Sequence, residues 1–199
     1  MGRDLRICLV GDSFVAGVGD ARCLGWAGRL GALAHAEGLP LTAYNLGVRR
    51  QTSADILGRW LPECEQRLTS GTDARVVLSF GVNDSTHEDG VARVALEESA
   101  ANLTKLLGQA AERGWPVLMV GPPPVDDLAQ NARTAELDAR FAECCANAGV
   151  PYVRVHRALR ESAVWMREVR AGDGAHPGAD GYDVLAELIA PHWREWLGR

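Results

Sequence analysis

The residue types in this chain that could do chemistry are a serine, an aspartate and a histidine. Ser13 directly follows a short apolar run, and Gly11 before it permits a sharp turn that would project the hydroxyl from a strand end. Asp173 and His176 lie three residues apart in segment 172–177, whose glycines and proline keep it out of a regular helix. Such a segment can fold back so that the carboxylate orients the imidazole and the imidazole accepts the serine proton. Serine, histidine and aspartate are therefore candidates for the nucleophile, the base and the group that orients the base in acyl transfer.

Acyl transfer also needs hydrogen-bond donors for the negatively charged oxygen of its intermediate, and two further strand ends offer them. Gly47 follows a candidate strand and has no side chain, so a substrate oxygen can approach its main-chain N–H closely. Asn83 brings an uncharged carboxamide, which donates hydrogen bonds without titrating near neutral pH. We therefore predict an oxyanion hole formed by Ser13, Gly47 and Asn83.

Each of these segments also has an ordinary structural interpretation. Asp12 or Ser13 can cap a helix, and the Asp-x-x-His segment can be a polar turn that carries a surface histidine. Gly47 can be a turn glycine, and Asn83 a turn asparagine. Taken singly, these interpretations are at least as well supported. The chemical interpretation depends on the four segments occurring together and in this order.

The elements that must position these residues alternate between strands and helices. Continuous short apolar runs are typical of buried parallel strands, and they predict five strands at 7–10, 41–46, 75–80, 117–120 and 152–155. Helical spacing is found at 26–36, 53–68, 91–112, 135–148 and 179–196. The alternation predicts a single domain over residues 1–199, an α/β protein in the form of a three-layer α/β/α sandwich with a five-stranded parallel sheet, flavodoxin-like in shape. Ligands of such sheets bind at the carboxyl ends of the strands, where the candidate residues lie.

Together the motifs resemble those of the SGNH hydrolases, also called the GDSL esterase and lipase family. The matching segments are Gly11-Asp12-Ser13-Phe14, Asn45-Leu46-Gly47, Gly81-Val82-Asn83-Asp84 and Asp173-Gly174-Ala175-His176-Pro177. The resemblance implies the same fold, a triad of Ser13, Asp173 and His176, and an oxyanion bound by Ser13, Gly47 and Asn83. It also implies hydrolysis of carboxylic esters or thioesters through an acyl-enzyme, with no cofactor.

Segment 48–52 departs from the family pattern. Where many members have a second glycine shortly after the oxyanion glycine, this chain has Val48-Arg49-Arg50-Gln51-Thr52. Arg49 or Arg50 could contact an anionic part of a substrate, although a solvated or helix-packing arginine is the better-supported interpretation of each. We interpret Asp84 as a residue that makes structural hydrogen bonds within its loop.

Composition argues against several partners and other kinds of site. The 199 residues carry a formal net charge of -5, which offers no electrostatic basis for binding nucleic acid or an anionic membrane. The apolar run near the start is too short for a signal peptide or a membrane span, and we expect a cytoplasmic protein. The five cysteines lack paired metal-ligand spacing and the other histidines are scattered, so we predict reduced thiols and no metal site.

The predicted function is hydrolysis of a small-molecule ester, with short acyl chains favoured over triglycerides. Two alternatives remain: an acyltransferase that uses the same triad, and a catalytically inactive flavodoxin-like binding module. The sequence contains neither the serine elbow of the α/β-hydrolases nor a phosphate-binding loop. Specificity is expected to depend on loops at 122–133 and 160–170, where Trp165 and Met166 either line an acyl pocket or pack a helix. The sequence does not indicate an oligomeric state.

Overall fold

The computed structural model describes residues 4–198, and a parallel sheet of five strands lies at its centre. In chain order the strands are β1 Leu5–Gly11, β2 Thr42–Gly47, β3 Asp73–Ser79, β4 His87–Glu88, β5 Val91–Ala92, β6 Val117–Val120 and β7 Tyr152–Val153. The sheet has the order β2-β1-β3-β6-β7, and all its pairs are parallel. The five predicted strands are therefore confirmed, although the last is shorter than expected.

Parallel pairing places the carboxyl ends of the central strands at one edge of the sheet. Gly11 at the end of β1 is in register with Gly47 of β2 and with Ser79 of β3. The turns that follow these three residues therefore begin side by side. Ser13 lies in the first of them and Asn83 in the loop after β3, which is the convergence that the candidate site requires.

Helices cover both faces of the sheet. Their bounds are α1 Ser13–Ala16, α2 Gly25–Ala36, α3 Ser53–Glu65, α4 Leu96–Glu112, α5 Leu128–Asn147, α6 His156–Glu161, α7 Ala163–Ala171 and α8 Ala179–Leu197. One hydrophobic core joins the sheet to α2, α7 and α8, and the other joins it to α3, α4 and α5. Along β1 the side chains alternate, since Ile7 and Leu9 enter the first core while Cys8 and Val10 enter the second. The three-layer sandwich is thus confirmed.

A short hairpin corrects one helix prediction. The helix expected to begin at Val91 begins instead at Leu96, because β4 and β5 pair as an antiparallel hairpin before it. Asp89 and Gly90 connect the two strands with φ values of 54° and 81°. Two successive positive φ values are typical of a tight hairpin turn and interrupt a right-handed helix.

The two segments expected to be loops, 122–133 and 160–170, are partly helical. Helix α5 begins within the first, because the Asp127 side chain caps it by accepting a main-chain N–H three residues on, at 2.8 Å. Helices α6 and α7 occupy most of the second. Trp165 and Val169 lie one turn apart on α7 and are fully buried, so they form the hydrophobic side of this short helix. The charged residues between and around them made this pattern hard to recognise in the sequence.

Two further observations concern the described residues as a whole. Between residues 4 and 198, none of the helices combines the length and apolar character needed to cross a bilayer. The five cysteines are all free thiols, four of them buried and Cys23 exposed.

Candidate active site

Ser13 is presented by a sharp strand-to-helix turn. β1 ends at Gly11, where a Cβ atom would lie 1.9 Å from the main-chain oxygen of Ser79, so only glycine fits against β3 here. Asp12 then caps α1, its side chain accepting a hydrogen bond from the main-chain N–H of Phe14 at 3.0 Å. The capping interpretation and the chemical one are therefore compatible, because Asp12 caps the helix and Ser13 is its first residue.

The structure brings Ser13, His176 and Asp173 into one hydrogen-bonded chain. His176 Nε2 lies 2.7 Å from Ser13 Oγ, and His176 Nδ1 lies 2.8 Å from Asp173 Oδ2. The other carboxylate oxygen accepts the main-chain N–H groups of Ala175 and His176 at 3.0 and 2.8 Å. The ring of Phe14 lies against the imidazole, with centroids 4.8 Å apart. Carboxylate, imidazole and hydroxyl thus have the connectivity of a serine-hydrolase triad.

The electrostatics of Asp173 favour a charged carboxylate beside the imidazole. Partial burial on its own would raise the pKa of Asp173, but hydrogen bonds from the His176 main-chain N–H and from the His176 ring outweigh it and lower the pKa to about 2. An ionised acceptor at Nδ1 requires a proton there, which leaves Nε2 of the neutral ring free to accept from Ser13.

The segment that carries His176 is held by its neighbours. The Gly174 N–H donates to Val169 O at the end of α7 at 3.1 Å, and Gly174 O accepts from the Asp126 N–H at 2.8 Å. The loop between α1 and α2 packs against the other side, where a Cβ atom at Gly19 would lie 2.4 Å from Pro177 O. The position of the imidazole therefore depends on two loops as well as on its own turn.

The loop between α1 and α2 is organised by Asp20, whose side chain is fully buried. Its carboxylate pairs with Arg29, which also pairs with Asp183 on α8. The same carboxylate accepts the main-chain N–H groups of Arg22, Leu24 and Gly25. Burial alone would raise the pKa of Asp20, but the hydrogen bond from Arg29 and those from the main chain outweigh it and lower the pKa to about 2.

Asn83 lies beside the turn that carries Ser13. Its Nδ2 donates to Gln51 O at 3.0 Å and to Asp12 Oδ2 at 3.3 Å. The N–H₂ group of the carboxamide therefore faces Asp12, the residue that precedes the serine. This is a suitable place for a donor to an oxygen bonded to the carbon that Ser13 attacks.

Gly47 has a packing role in the structure in addition to the donor role predicted for it. A Cβ atom at this position would lie 2.2 Å from Ala16 N and 2.8 Å from Asp12 O, so glycine is required for β2 to end against α1. Its main-chain N–H donates to Asn45 Oδ1 at 3.0 Å, a side chain two residues away that a substrate oxygen would have to replace. Sequence reasoning could not separate close packing from donation, since both require glycine.

Asp12 is the residue of the site that sequence reasoning underestimated. Its side chain is almost completely buried (1% exposed), and burial, together with the nearby Asp84 carboxylate, raises its pKa to about 7 despite hydrogen bonds from Phe14 and Asn83. Its contact with Asn83 joins residues 71 positions apart in sequence. No local signal in the sequence predicts such a contact.

Asp84 has the structural role expected of it. It is fully buried, and it accepts hydrogen bonds from the Ser53 main-chain N–H at 3.0 Å and from the Ser99 hydroxyl at 2.8 Å. Burial raises its pKa. The carboxylate therefore connects the loop after β3 to the first turns of α3 and α4, which steadies the loop that carries Asn83.

The arginines of segment 48–52 remain at the surface. Arg50 has a φ of 65°, unusual for a residue other than glycine, and its guanidinium pairs with Glu88 at 3.3 Å. Its main-chain oxygen accepts from Arg93 at 2.9 Å. Arg49 is exposed. Arg50 is therefore an exposed arginine, close to the solvated residue that the sequence interpretation favoured, and its partner is the hairpin and not a helix.

The question about Trp165 is decided in favour of packing. Trp165 is fully buried, donates from Nε1 to Pro124 O at 3.0 Å, and stacks on Phe14 with centroids 6.3 Å apart. Met166 beside it is also buried in the same core. Together these side chains fill the space behind the serine-bearing helix.

Several solved structures have the same fold as this chain. The structure is similar to the lipase/acylhydrolase from Enterococcus faecalis, with 23% identity, a TM-score of 0.78 and 96% of each chain covered. It is also similar to the acetylxylan esterase Axe2 from Geobacillus stearothermophilus (19% identity, TM-score 0.78, covering 98% of this chain and 97% of that one). A third similar structure is that of the psychrotrophic esterase EstA from Pseudoalteromonas sp. (18% identity, TM-score 0.74, covering 98% of this chain and 100% of that one).

At these identities the structural likeness concerns the fold, and among curated proteins no sequence matches significantly. The sequence itself, however, matches the family described as GDSL-like lipase/acylhydrolase over residues 9–184, which includes every candidate residue of the site. The chain therefore belongs to the GDSL-like lipase/acylhydrolase family.

Proposed function

We propose that this protein hydrolyses carboxylic esters through an acyl-enzyme formed on Ser13. The observation that carries the proposal is the hydrogen-bonded chain in which His176 Nε2 lies 2.7 Å from Ser13 Oγ while Asp173 accepts from the opposite ring nitrogen. A free serine hydroxyl is a weak nucleophile, and an adjacent neutral imidazole makes it an effective one by taking its proton as the new bond forms.

The reaction proceeds in two halves with the same groups. Ser13 Oγ attacks the ester carbonyl carbon, and its proton passes to His176 Nε2. The imidazolium, stabilised by Asp173, returns that proton to the leaving alcohol as the carbon–oxygen bond breaks. Water then attacks the acyl-enzyme, gives its proton to His176, and releases the carboxylic acid with Ser13 restored.

We assign the oxyanion of each half-reaction to three donors, Ser13, Gly47 and Asn83. The main-chain N–H of Ser13 belongs to the first turn of α1, where main-chain N–H groups have no partner within the helix. The Asn83 carboxamide lies beside the same turn, and the oxyanion would take over its hydrogen bond to Asp12. The Gly47 N–H would likewise exchange Asn45 for the substrate oxygen.

Short acyl chains are the proposed substrates. The space behind Ser13 is filled by Phe14 and Trp165, which are buried core residues, so the core beneath the nucleophile offers no room for a long chain. Structural relatives described as an esterase and an acetylxylan esterase are consistent with this preference. Thioesters with short acyl groups fit the same chemistry.

The test is a series of p-nitrophenyl esters from acetate to laurate, assayed with the wild type and with Ser13→Ala. We expect the highest kcat/KM with the shortest acyl groups and a loss of about 10⁴-fold or more in Ser13→Ala. Ser70→Ala, at an exposed position in the turn before β3, is the matched control and should behave as wild type. A Ser13→Ala protein that keeps its turnover would exclude the mechanism.

Two measurements separate the proposal from the alternatives. Labelling of the wild type with a fluorophosphonate, followed by intact mass and peptide mapping, should place one adduct on Ser13, whereas an inactive binding module would remain unlabelled. Product analysis with added alcohol measures how much of the acyl group passes to an acceptor other than water. Predominant transfer under those conditions would favour an acyltransferase.

A further inference from the structure

The carboxylate of Asp12 touches both halves of the candidate catalytic apparatus. Oδ1 accepts the Phe14 main-chain N–H at 3.0 Å and so closes the turn that presents Ser13. Oδ2 accepts from Asn83 Nδ2 at 3.3 Å. Since the Asp12 side chain is almost fully buried, water has little access to its two oxygens. One rigid group therefore connects the nucleophile's turn with the carboxamide assigned to the oxyanion.

This contact fixes which end of the Asn83 carboxamide faces Asp12, at the turn that carries the serine. A carboxylate only accepts hydrogen bonds, and so does the other neighbour of the carboxamide, Gln51 O. If the carboxamide rotated by half a turn, its own oxygen would face both acceptors. Two acceptor-to-acceptor contacts in a poorly hydrated place are strongly unfavourable. The N–H₂ end is therefore kept against Asp12 and Gln51 before any substrate arrives.

The length of the Asp12–Asn83 hydrogen bond affects how easily Asn83 can donate to an oxyanion instead. At 3.3 Å the Asp12–Asn83 hydrogen bond is longer than the usual 2.9–3.0 Å of N–H···O bonds, whereas the bond to Gln51 is of normal length. The long bond orients one amide hydrogen without holding it tightly. That hydrogen can pass to a developing oxyanion at little cost, while Gln51 keeps the carboxamide in place.

We propose that Asp12 is a positioning residue that holds the Asn83 carboxamide in the donor orientation and in fixed geometry to Ser13, in addition to capping α1. The proposal rests on the proposed hydrolase function. Asp12 acts on the transition state through Asn83 and the Ser13 turn, so its effect belongs in kcat and not in substrate binding.

Two substitutions separate capping from orientation. Asp12→Ser keeps a good cap for the Phe14 N–H, but its side chain is too short to reach Asn83. Asp12→Asn keeps the size and a capping oxygen, but it can place an N–H₂ group against that of Asn83. At pH 8.5, above the Asp12 pKa of about 7, we expect kcat to fall roughly 10- to 100-fold in both, with KM changed less than about threefold. Ile189→Val, a buried change far from the site, controls for lost stability.

A double-mutant cycle shows whether Asp12 acts through Asn83. Asn83→Ala in the wild type should cost about 10²- to 10³-fold in kcat, and in the Asp12→Ser background its cost should be at least tenfold smaller. Independent, multiplicative losses would overturn the proposal, as would an Asp12→Asn enzyme with unchanged kcat.

Hydrogen exchange of the Asn83 side chain tests the role of Asp12 without measuring turnover, and it is therefore independent of the hydrolase function. The side-chain amide hydrogens of Asn83, followed by NMR in ¹⁵N-labelled protein, should exchange with solvent at least about tenfold faster in Asp12→Ser than in the wild type. Unchanged exchange would refute the positioning role even in an active enzyme. A wild type that neither hydrolyses esters nor reacts with fluorophosphonate would refute the proposed function, whatever the exchange rates.

Discussion

The substitution Asp173→Asn tests the proposed mechanism most directly. In the structure Asp173 Oδ1 is held by two main-chain N–H groups, those of Ala175 and His176, while Oδ2 faces His176 Nδ1. An asparagine must keep its oxygen on the main-chain donors, so its N–H₂ group takes the place of Oδ2. Nδ1 must then accept a hydrogen bond, and the neutral ring carries its proton on Nε2. That nitrogen faces Ser13 and can no longer serve as a base.

The size of the effect follows from what the exchange removes. The variant loses the general base in its resting form and the charge that stabilises the imidazolium, and we expect kcat to fall about 10⁴-fold, or about 5.5 kcal/mol in the activation barrier. Folding should be nearly unaffected. The Asp173 side chain is 52% exposed, and ion pairs of such exposure contribute about 0–1 kcal/mol to the free energy of unfolding.

The assay compares the hydrolysis of p-nitrophenyl acetate with unfolding in urea for the same proteins. Asp126→Asn is a matched control, because the Asp126 carboxylate is also exposed and lies near the same segment. It pairs with Arg170 at 3.0 Å. It should leave kcat within about twofold, consistent with the small contribution of exposed pairs. A loss below about tenfold in Asp173→Asn, or a loss confined to KM, would show that the carboxylate does not set the tautomer of His176.

Three further predictions address other parts of the site. Asn83→Ala should lower kcat about 10²- to 10³-fold with unfolding in urea little changed, and unaltered turnover would remove Asn83 from the oxyanion hole. Gly47→Ala should destabilise the fold by about 2 kcal/mol or more, because its Cβ would overlap Ala16 N, and normal stability in urea would contradict the packing role. Asp20 has a pKa lowered to about 2, so its hydrogen bonds with Arg29 and the main chain together stabilise the fold by about 2 kcal/mol above pH 5 and about half as much at pH 3. The stability difference between wild type and Asp20→Asn should therefore shrink on acidification, and a difference independent of pH would refute this linkage.

Much of the fold was predictable because it depends on local pattern. Strands buried on both faces leave continuous apolar runs, and each of the five runs became a strand of the central sheet. The site was predictable for the same reason, since a parallel sheet gathers its strand ends at one edge. Ser13 and Asn83 follow adjacent strands, and their approach could be expected before any distance was known.

What could not be predicted depends on contacts between distant segments. The sequence around Gly47 is consistent with an oxyanion donor, but it does not show that the glycine is also required for packing against Ala16. Asp12 has the sequence pattern of a helix cap, and its second contact comes from a loop 71 residues away. The turn at Asp89 and Gly90 could have been recognised from its sequence, but the helical pattern that follows obscured it.

The parts of the site are held in two different ways, and this has a consequence for the enzyme. Ser13 and Asn83 stand at the ends of adjacent central strands, β1 and β3, so the most rigid part of the fold fixes their separation. His176 comes from a turn between α7 and α8, and its position is set by loop contacts such as those of Gly19 and Asp126. Loops open locally at lower free energy than core strands do. We therefore expect the sheet to hold the proposed nucleophile and oxyanion donor in place, and we predict that activity is most sensitive to changes in the distance from the imidazole to the hydroxyl.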